Sequence, residues 1–271
     1  MRIGISNIAW DVKEDTSVSK ILTKYHIDAI DIAPSKYFPD FNNLKKSEIE
    51  KIKYWWQDQG IEITGMQSLL YGTTGLNLFG AVELQTSMLK HLEKVCYIAE
   101  ILGSPKLVFG SPKNRNRLDL SDQDVLQIST AFFKKLGDIA QSHNVIICLE
   151  PNPVCYGANF MTTTDEAALI VRQVDHPAIK IQLDTGTIAI NNEDILDILV
   201  KHKDIIGHIH LSEPQLIPLE GSSESHRHYS ELIRHHLPDA LCTIEMLVSS
   251  EAQRINIIEG VIKNIQSYRK P

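Results

Sequence analysis

The stretch IIGHIHLSEP, residues 205–214, has the pattern of a buried strand that ends in polar residues. Its β-branched isoleucines favour an extended backbone, and a Ser-Glu-Pro segment terminates the run. Side chains alternate between the two faces of a strand, so we expect His208 and His210 to point in the same direction. Two imidazoles on the inner face of a strand are unusual in an apolar core, and they mark a candidate site.

Seven further apolar runs of this kind occur along the chain, and segments with helical periodicity separate them. Between residues 82 and 102, for example, apolar residues recur at intervals of three and four. Ser47 with Glu50 and Ser121 with Asp124 have the spacing of helix capping boxes. The seven runs are RIGISNIAW (2–10), IDAIDIAP (27–34), IEITGMQSLL (61–70), PKLVFGSP (105–112), NVIICLEPNP (144–153), IKIQLDTG (179–186) and LCTIEML (241–247).

Strands that alternate with helices indicate a parallel sheet. Eight such units in 271 residues match the size of a (β/α)8 TIM barrel, and no linker-like segment interrupts the series. We therefore predict one TIM-barrel domain over residues 1–271. The alternative is a doubly wound open sheet, which usually has a glycine-rich turn after its first strand. The segment NIAWDVKED, residues 7–15, contains no glycine.

Composition and charge restrict the function classes. The chain is 43% hydrophobic and 23% charged, which is typical of a globular protein, and its net charge of −7 disfavours a nucleic-acid partner. No segment approaches the ~20 apolar residues of a membrane span. The four cysteines lack C-x-x-C spacing, so we expect reduced thiols and a cytoplasmic location. A homo-oligomer is compatible with this composition.

Acidic residues and a histidine close four consecutive runs. Glu150 follows VIICL, Asp184 follows IKIQL and Glu245 follows LCTI, and we expect the seventh strand to end at His210. Active sites of TIM barrels lie at the carboxyl ends of the strands, and neighbouring strands are about 4.8 Å apart. Three carboxylates at that distance would repel one another unless a cation joined them. The donors suit one divalent ion, best Mn²⁺, with Mg²⁺, Co²⁺ or Zn²⁺ as alternatives. A polar, metal-free barrel mouth is the other interpretation.

The motifs LEP, QLDTG, HIHLSEP and IEM, in this order at the ends of runs five to eight, resemble a known family. Over essentially its whole length the chain is similar to the xylose-isomerase-like TIM barrels of the sugar phosphate isomerase/epimerase superfamily. That group includes ketose 3-epimerases, hydroxypyruvate isomerase, inosose dehydratase and endonuclease IV. The resemblance implies that Glu150, Asp184, His210 and Glu245 bind the metal, and that Glu150 and Glu245 also act as the catalytic acid/base pair.

Two further residues are expected near this site. His208 matches a histidine common in the family, which implies that it orients ligands or substrate; a hydrogen-bonded core histidine is the alternative. Gln182 lies two residues before Asp184 and therefore shares its face of the strand. Both are candidate substrate-binding residues.

The sequence departs from the family at two positions. Ketose 3-epimerases usually have a histidine three residues after the strand-six aspartate and an arginine six residues after the strand-seven histidine. Here these positions hold Thr187 and Leu216. The departures weaken the expectation of ketose 3-epimerisation, and the missing histidine also disfavours an endonuclease IV-like function in DNA repair.

Cationic residues elsewhere could contact a substrate. The segment GSPKNRNR, residues 110–117, brings Lys113 and Arg115 to the active-site face as a candidate site for a phosphate or carboxylate. SESHRHY, residues 223–229, contains His228 in an expected loop after strand seven. The alternative interpretation is a solvated loop for the first segment, and a solvated loop and helix start for the second.

The expected activity is isomerisation or epimerisation of a small sugar or sugar-like carbonyl compound. Two glutamates would transfer protons through an enediolate, with the divalent metal as cofactor. One alternative is a lyase that expels a β-hydroxyl group, as inosose dehydratases do. Another is a metal-binding protein without turnover.

Overall fold

The computed structural model describes residues 1–219 and 224–269. Within this part of the chain eight parallel strands pair in chain order and close into a barrel, so the predicted (β/α)8 fold is confirmed. Each of the eight apolar runs contains one strand. The strands are β1 Arg2–Ser6, β2 Ala29–Ile32, β3 Glu62–Met66, β4 Lys106–Phe109, β5 Ile146–Leu149, β6 Ile179–Asp184, β7 Ile206–Ser212 and β8 Leu241–Glu245.

Helices connect the strands and form the outer layer. Neighbouring helices pack against each other around the barrel, and the last helix contacts the first. No helix within the two described ranges combines the length and apolar character that crossing a membrane requires. The helices are α1 Asp15–Lys24, α2 Pro34–Tyr37, α3 Lys46–Asp58, α4 Val82–Leu102, α5 Asp122–Ser142, α6 Thr164–Val174, α7 Thr185–Asn191, α8 Ile195–His202, α9 Glu224–His236 and α10 Arg254–Arg269.

Local signals define most helix ends. The Ser121 side chain accepts a hydrogen bond from the Asp124 amide (3.2 Å), as the capping-box spacing predicts. Gly103 ends α4 with φ = 76°, a left-handed conformation that costs glycine little. The capping box expected from Ser47 is wrong, because α3 begins earlier and its Glu48 carboxylate accepts from the Lys45 amide (2.9 Å).

The strand register brings polar residues to one end of the barrel. Asp184 on β6 pairs with His210 on β7, and Ser212, two residues later, pairs with Glu245 on β8. Below this level the strand residues are mostly buried and apolar, including Ile5, Leu149 and Ile181. The apolar core therefore fixes the strands, and its upper end holds the candidate site.

Candidate metal centre

Four side chains at the carboxyl ends of β5 to β8 converge as the sequence predicts. Glu150, Asp184, His210 and Glu245 each offer one ligand atom, and these four atoms lie within 4.8 Å of one another. His210 lies two residues inside β7, which continues to Ser212, so its predicted position at the strand end is wrong by two residues. Glu150 is the first residue after β5.

His210 presents one ring nitrogen to the carboxylates. Its Nδ1 atom is 3.3 Å from Glu245 Oε2 and 3.6 Å from Glu150 Oε1, and the side chain is fully buried. The opposite nitrogen, Nε2, faces Asp31 Oδ2 at 3.6 Å. The imidazole is therefore oriented so that Nδ1 can act as a metal ligand.

Asp184 is held by the start of the next helix. Its Oδ1 atom accepts a hydrogen bond from the Thr187 amide (2.6 Å), and its Oδ2 atom accepts one from Ser212 Oγ (2.7 Å). Burial, followed by the negative charges of Glu150 and Glu245, raises the pKa of Asp184 to about 7. Crowded carboxylates of this kind are stabilised by a cation, so the donor set fits a divalent metal ion.

The two glutamates have different supports. Gln67 Nε2 donates to Glu245 Oε1 at 2.5 Å, whereas Asn152 Nδ2 donates to Glu150 Oε2 at 3.2 Å. Burial opposes the ionisation of Glu245, but His210 and the Gln67 amide outweigh it and lower the pKa of Glu245. A Cβ atom at Gly110 would lie 1.9 Å from Glu150 Oε2, so only glycine leaves space for this carboxylate.

A second polar group lies beneath this site. His208 Nε2 donates to Asp31 Oδ2 (2.5 Å), and Thr64 Oγ1 donates to Asp31 Oδ1 (3.2 Å). Burial alone would raise the pKa of Asp31, but His208 and His210 hold it well below its usual range. Asp31 was missed from the sequence, although a lone aspartate inside the apolar run AIDIA was a usable signal.

The predicted substrate-binding residues have different environments. Gln182 is fully buried beside His208, and neither atom of its amide has a hydrogen-bond partner among the described residues. Lys113 lines a cavity of about 210 Å³ whose wall includes Glu150, Glu245 and Gln67. Arg115, predicted as a substrate-binding residue, is buried and does not line that cavity, and its burial also differs from the alternative interpretation of a solvated loop.

The loop expected around His228 is wrong in its secondary structure. His228 lies in the first turns of α9, and its side chain is exposed. His226, on the same helix, is buried and contacts Glu213 Oε1 through Nε2 (2.7 Å). Residues 220–223, which precede this helix and include the start of SESHRHY, lie outside the described residues.

The two departures from the epimerase pattern have structural roles. The Thr187 amide contacts Asp184, and its hydroxyl donates to the Pro151 carbonyl (3.1 Å). Leu216 has φ = 54° in a turn after β7, and its carbonyl accepts from the Leu247 amide (2.7 Å). Neither position supplies a charged group to the site.

Comparisons with known proteins agree with this fold. A D-psicose 3-epimerase from Clostridium cellulolyticum H10, solved with D-tagatose, has a TM-score of 0.82 at 16% identity, and the match covers 100% of both chains. A 3-keto-D-glucoside 4-epimerase from E. coli has a TM-score of 0.79 at 17% identity over 99% of both chains.

A probable 3-DHS dehydratase from Bacillus anthracis has a TM-score of 0.71 at 16% identity over 100% of both chains. At these identities the structural likeness shows a common fold. No curated protein sequence matches the chain significantly. The model of the xylose isomerase-like TIM barrel family matches residues 20–239, and the chain therefore belongs to that family.

Proposed function

We propose that this protein is a metal-dependent isomerase or epimerase of a small sugar or sugar-like carbonyl compound. The observation that carries the proposal is the convergence of Glu150 and Glu245 on His210 Nδ1, with Asp184 completing the group. Three carboxylates and one imidazole beside a cavity suit both a divalent cation and an oxygen-rich substrate. The epimerases among the structural neighbours support the same class.

Glu150, Asp184, His210 and Glu245 would hold the ion, for which Mn²⁺ is the best candidate. When bound, the cation would supply Lewis-acid stabilisation of negative charge on substrate oxygens, by several kcal/mol. The lowered pKa of Glu245 keeps its carboxylate ionised and able to accept a proton from carbon. Gln67 fixes the orientation of that carboxylate.

Glu150 and Glu245 extend from strands on either side of β6 and β7. In the proposed reaction one carboxylate removes a proton from the carbon next to the carbonyl group. The other, in its protonated form, returns a proton to the opposite face, and the configuration of that carbon is inverted. A positioned acid/base group of this kind contributes typically ~10²–10⁴-fold to the rate.

A lyase is the second candidate. The same proton removal can expel a β-hydroxyl group, and one structural neighbour is a probable dehydratase. Thr187 and Leu216 favour this alternative over ketose 3-epimerisation, because neither can hold substrate oxygens as the family histidine and arginine do.

Proton exchange in D₂O separates these reactions. Metal-loaded protein is incubated with D-fructose, D-tagatose and phosphorylated ketoses, and products are followed by mass spectrometry. Deuterium uptake without other mass change supports an isomerase or epimerase, whereas loss of water supports a lyase. Exchange should disappear in Asp184→Asn. A ligand that binds without any exchange would overturn the proposal in favour of a binding protein.

A further inference from the structure

Arg115, in the 3-10 turn that follows β4, has an unusual environment for an arginine. Its side chain is 1% exposed. None of its guanidinium nitrogens, Nε, Nη1 or Nη2, has a hydrogen-bond partner among residues 1–219 and 224–269. A guanidinium carries five N–H donors, and burying it without acceptors is strongly unfavourable. Such a side chain requires an acceptor that the described protein does not provide.

The charge of Arg115 persists despite its burial. Burial lowers the pKa of Arg115 to about 10, and the negative charge of Glu150 opposes that decrease. The guanidinium therefore remains protonated at neutral pH. No described carboxylate forms an ion pair with it, so the positive charge is not neutralised by a direct partner among the described residues.

The position of Arg115 connects it to the proposed active site. It ends a 3-10 turn, Pro112–Arg115, that also contains Lys113, and Lys113 lines the same cavity as Glu150. The turn is anchored because Asn114 Nδ2 donates to the Leu76 carbonyl (2.8 Å). One cation thus lies at the cavity wall and a second lies within the same short turn.

Arg117, two residues further on, has hydrogen-bond acceptors for its guanidinium group. Its Nη2 atom donates to the Leu120 carbonyl at 2.9 Å and also forms an ion pair with Asp122. The unpaired state of Arg115 is therefore specific to that position and is not a general property of the segment. Arg117 also provides a matched control.

We propose that Lys113 and Arg115 form a subsite for an anionic group of the substrate, a phosphate or a carboxylate. The planar guanidinium matches two oxygen atoms of such a group, and the lysine ammonium adds a point charge. Because Arg115 does not line the cavity, the subsite requires that its side chain move when the anion binds. The subsite deepens the proposed function, since it restricts the substrate to a sugar phosphate or a sugar acid.

Anion binding is measured without turnover. Calorimetric titrations of metal-loaded protein use inorganic phosphate and glycolate as probes. Arg115→Met and Lys113→Met should each weaken binding of the preferred probe at least ~10-fold, the loss of a charge-assisted contact. Arg117→Met should leave affinity unchanged. Preference for phosphate supports a sugar phosphate, and preference for glycolate supports a sugar acid.

Thermal unfolding distinguishes a binding role from a structural one. Without the probe, Arg115→Met should melt at the same temperature as the wild type or higher, because a buried charge without acceptors is removed. A lower melting temperature would overturn the assignment of Arg115, as would unchanged anion affinity. Because these readouts do not depend on catalysis, anion binding with no exchange in D₂O would refute only the proposed function.

Discussion

Two polar clusters lie one above the other in this barrel, and they differ in charge balance. The mouth cluster consists of Glu150, Asp184, His210 and Glu245, in which three carboxylates face a single imidazole nitrogen. The core cluster consists of Asp31, Thr64 and His208, in which one carboxylate accepts hydrogen bonds from two neighbours. In the core cluster both oxygens of the Asp31 carboxylate have a hydrogen-bond donor, whereas in the mouth cluster the crowding of three carboxylates suits a cation that would balance their charge.

The two clusters are expected to have different roles. Asp31 contacts His208 and also faces His210 Nε2, so it links the core cluster to the mouth cluster. Buried partners of ligating histidines commonly fix the ring orientation and the tautomer. We therefore expect substitutions in the mouth cluster to change chemistry and metal binding, and substitutions in the core cluster to change stability first.

The largest effect is expected at the two glutamates of the mouth. Glu150→Gln and Glu245→Gln each remove a base but keep an oxygen, so turnover should fall at least ~10²-fold in both. Each variant should still exchange the one substrate proton that the remaining carboxylate reaches, from opposite epimers. Isotope exchange and steady-state rates measure this. Metal content serves as the control, because loss of the ion would give the same defect.

If one of these variants keeps near-normal turnover with its metal bound, the two-base scheme is wrong. The reaction would then be a one-base isomerisation or an elimination.

A smaller effect, on the free energy of unfolding, is expected when the core cluster is disrupted. Asp31→Asn removes the charge that His208 and His210 contact, and we expect a loss of roughly 3 kcal/mol in the free energy of unfolding. Asp28→Asn, on the surface beside Arg2, is the matched control and should cost less than about 1 kcal/mol. Chemical denaturation of metal-free protein measures both. Equal stability of the two variants would contradict the role of Asp31.

The sequence was sufficient for the barrel and for the mouth cluster. Apolar runs predict the strands. The polar residues at the ends of these runs predict a site at the carboxyl end of the barrel, where TIM-barrel active sites lie. Asp31 was not found because its partner His208 is 177 residues away and the run AIDIA does not reveal which face the carboxylate occupies. Arg115 differs from Arg117 because its side chain is buried. The sequence GSPKNRNR does not indicate which of the two arginines is buried.

The stability of the metal-free protein should depend on pH because the mouth cluster holds an excess of carboxylates. The raised pKa of Asp184 means that the folded state keeps a proton that the unfolded state loses above about pH 4. Stability from this group is therefore present below pH 4 and is lost as the pH rises to about 7. Asp184→Asn should remove this component, so the wild type should lose stability relative to the variant across that range.

Melting temperatures of both proteins in a chelator test this expectation. Metal-loaded wild type should not show the loss, because the cation favours ionised carboxylates. If the melting temperatures of metal-free wild type and Asp184→Asn change with pH in parallel, the pKa of Asp184 is not raised by its neighbours.

The smallest effect is expected when the space beside the Glu150 carboxylate is filled. The Cβ atom in Gly110→Ala would lie 1.9 Å from Glu150 Oε2, so the end of this flexible side chain must move. Because backbone atoms need not move with it, the melting temperature should hardly change while metal affinity falls about 10-fold, as for other outer-shell changes. Gly260→Ala is the control, since its Cβ atom would meet nothing within 4 Å. Metal titration and thermal unfolding of both variants measure this, and unchanged metal affinity in Gly110→Ala would mean that the observed position of Glu150 is not the one that binds the ion.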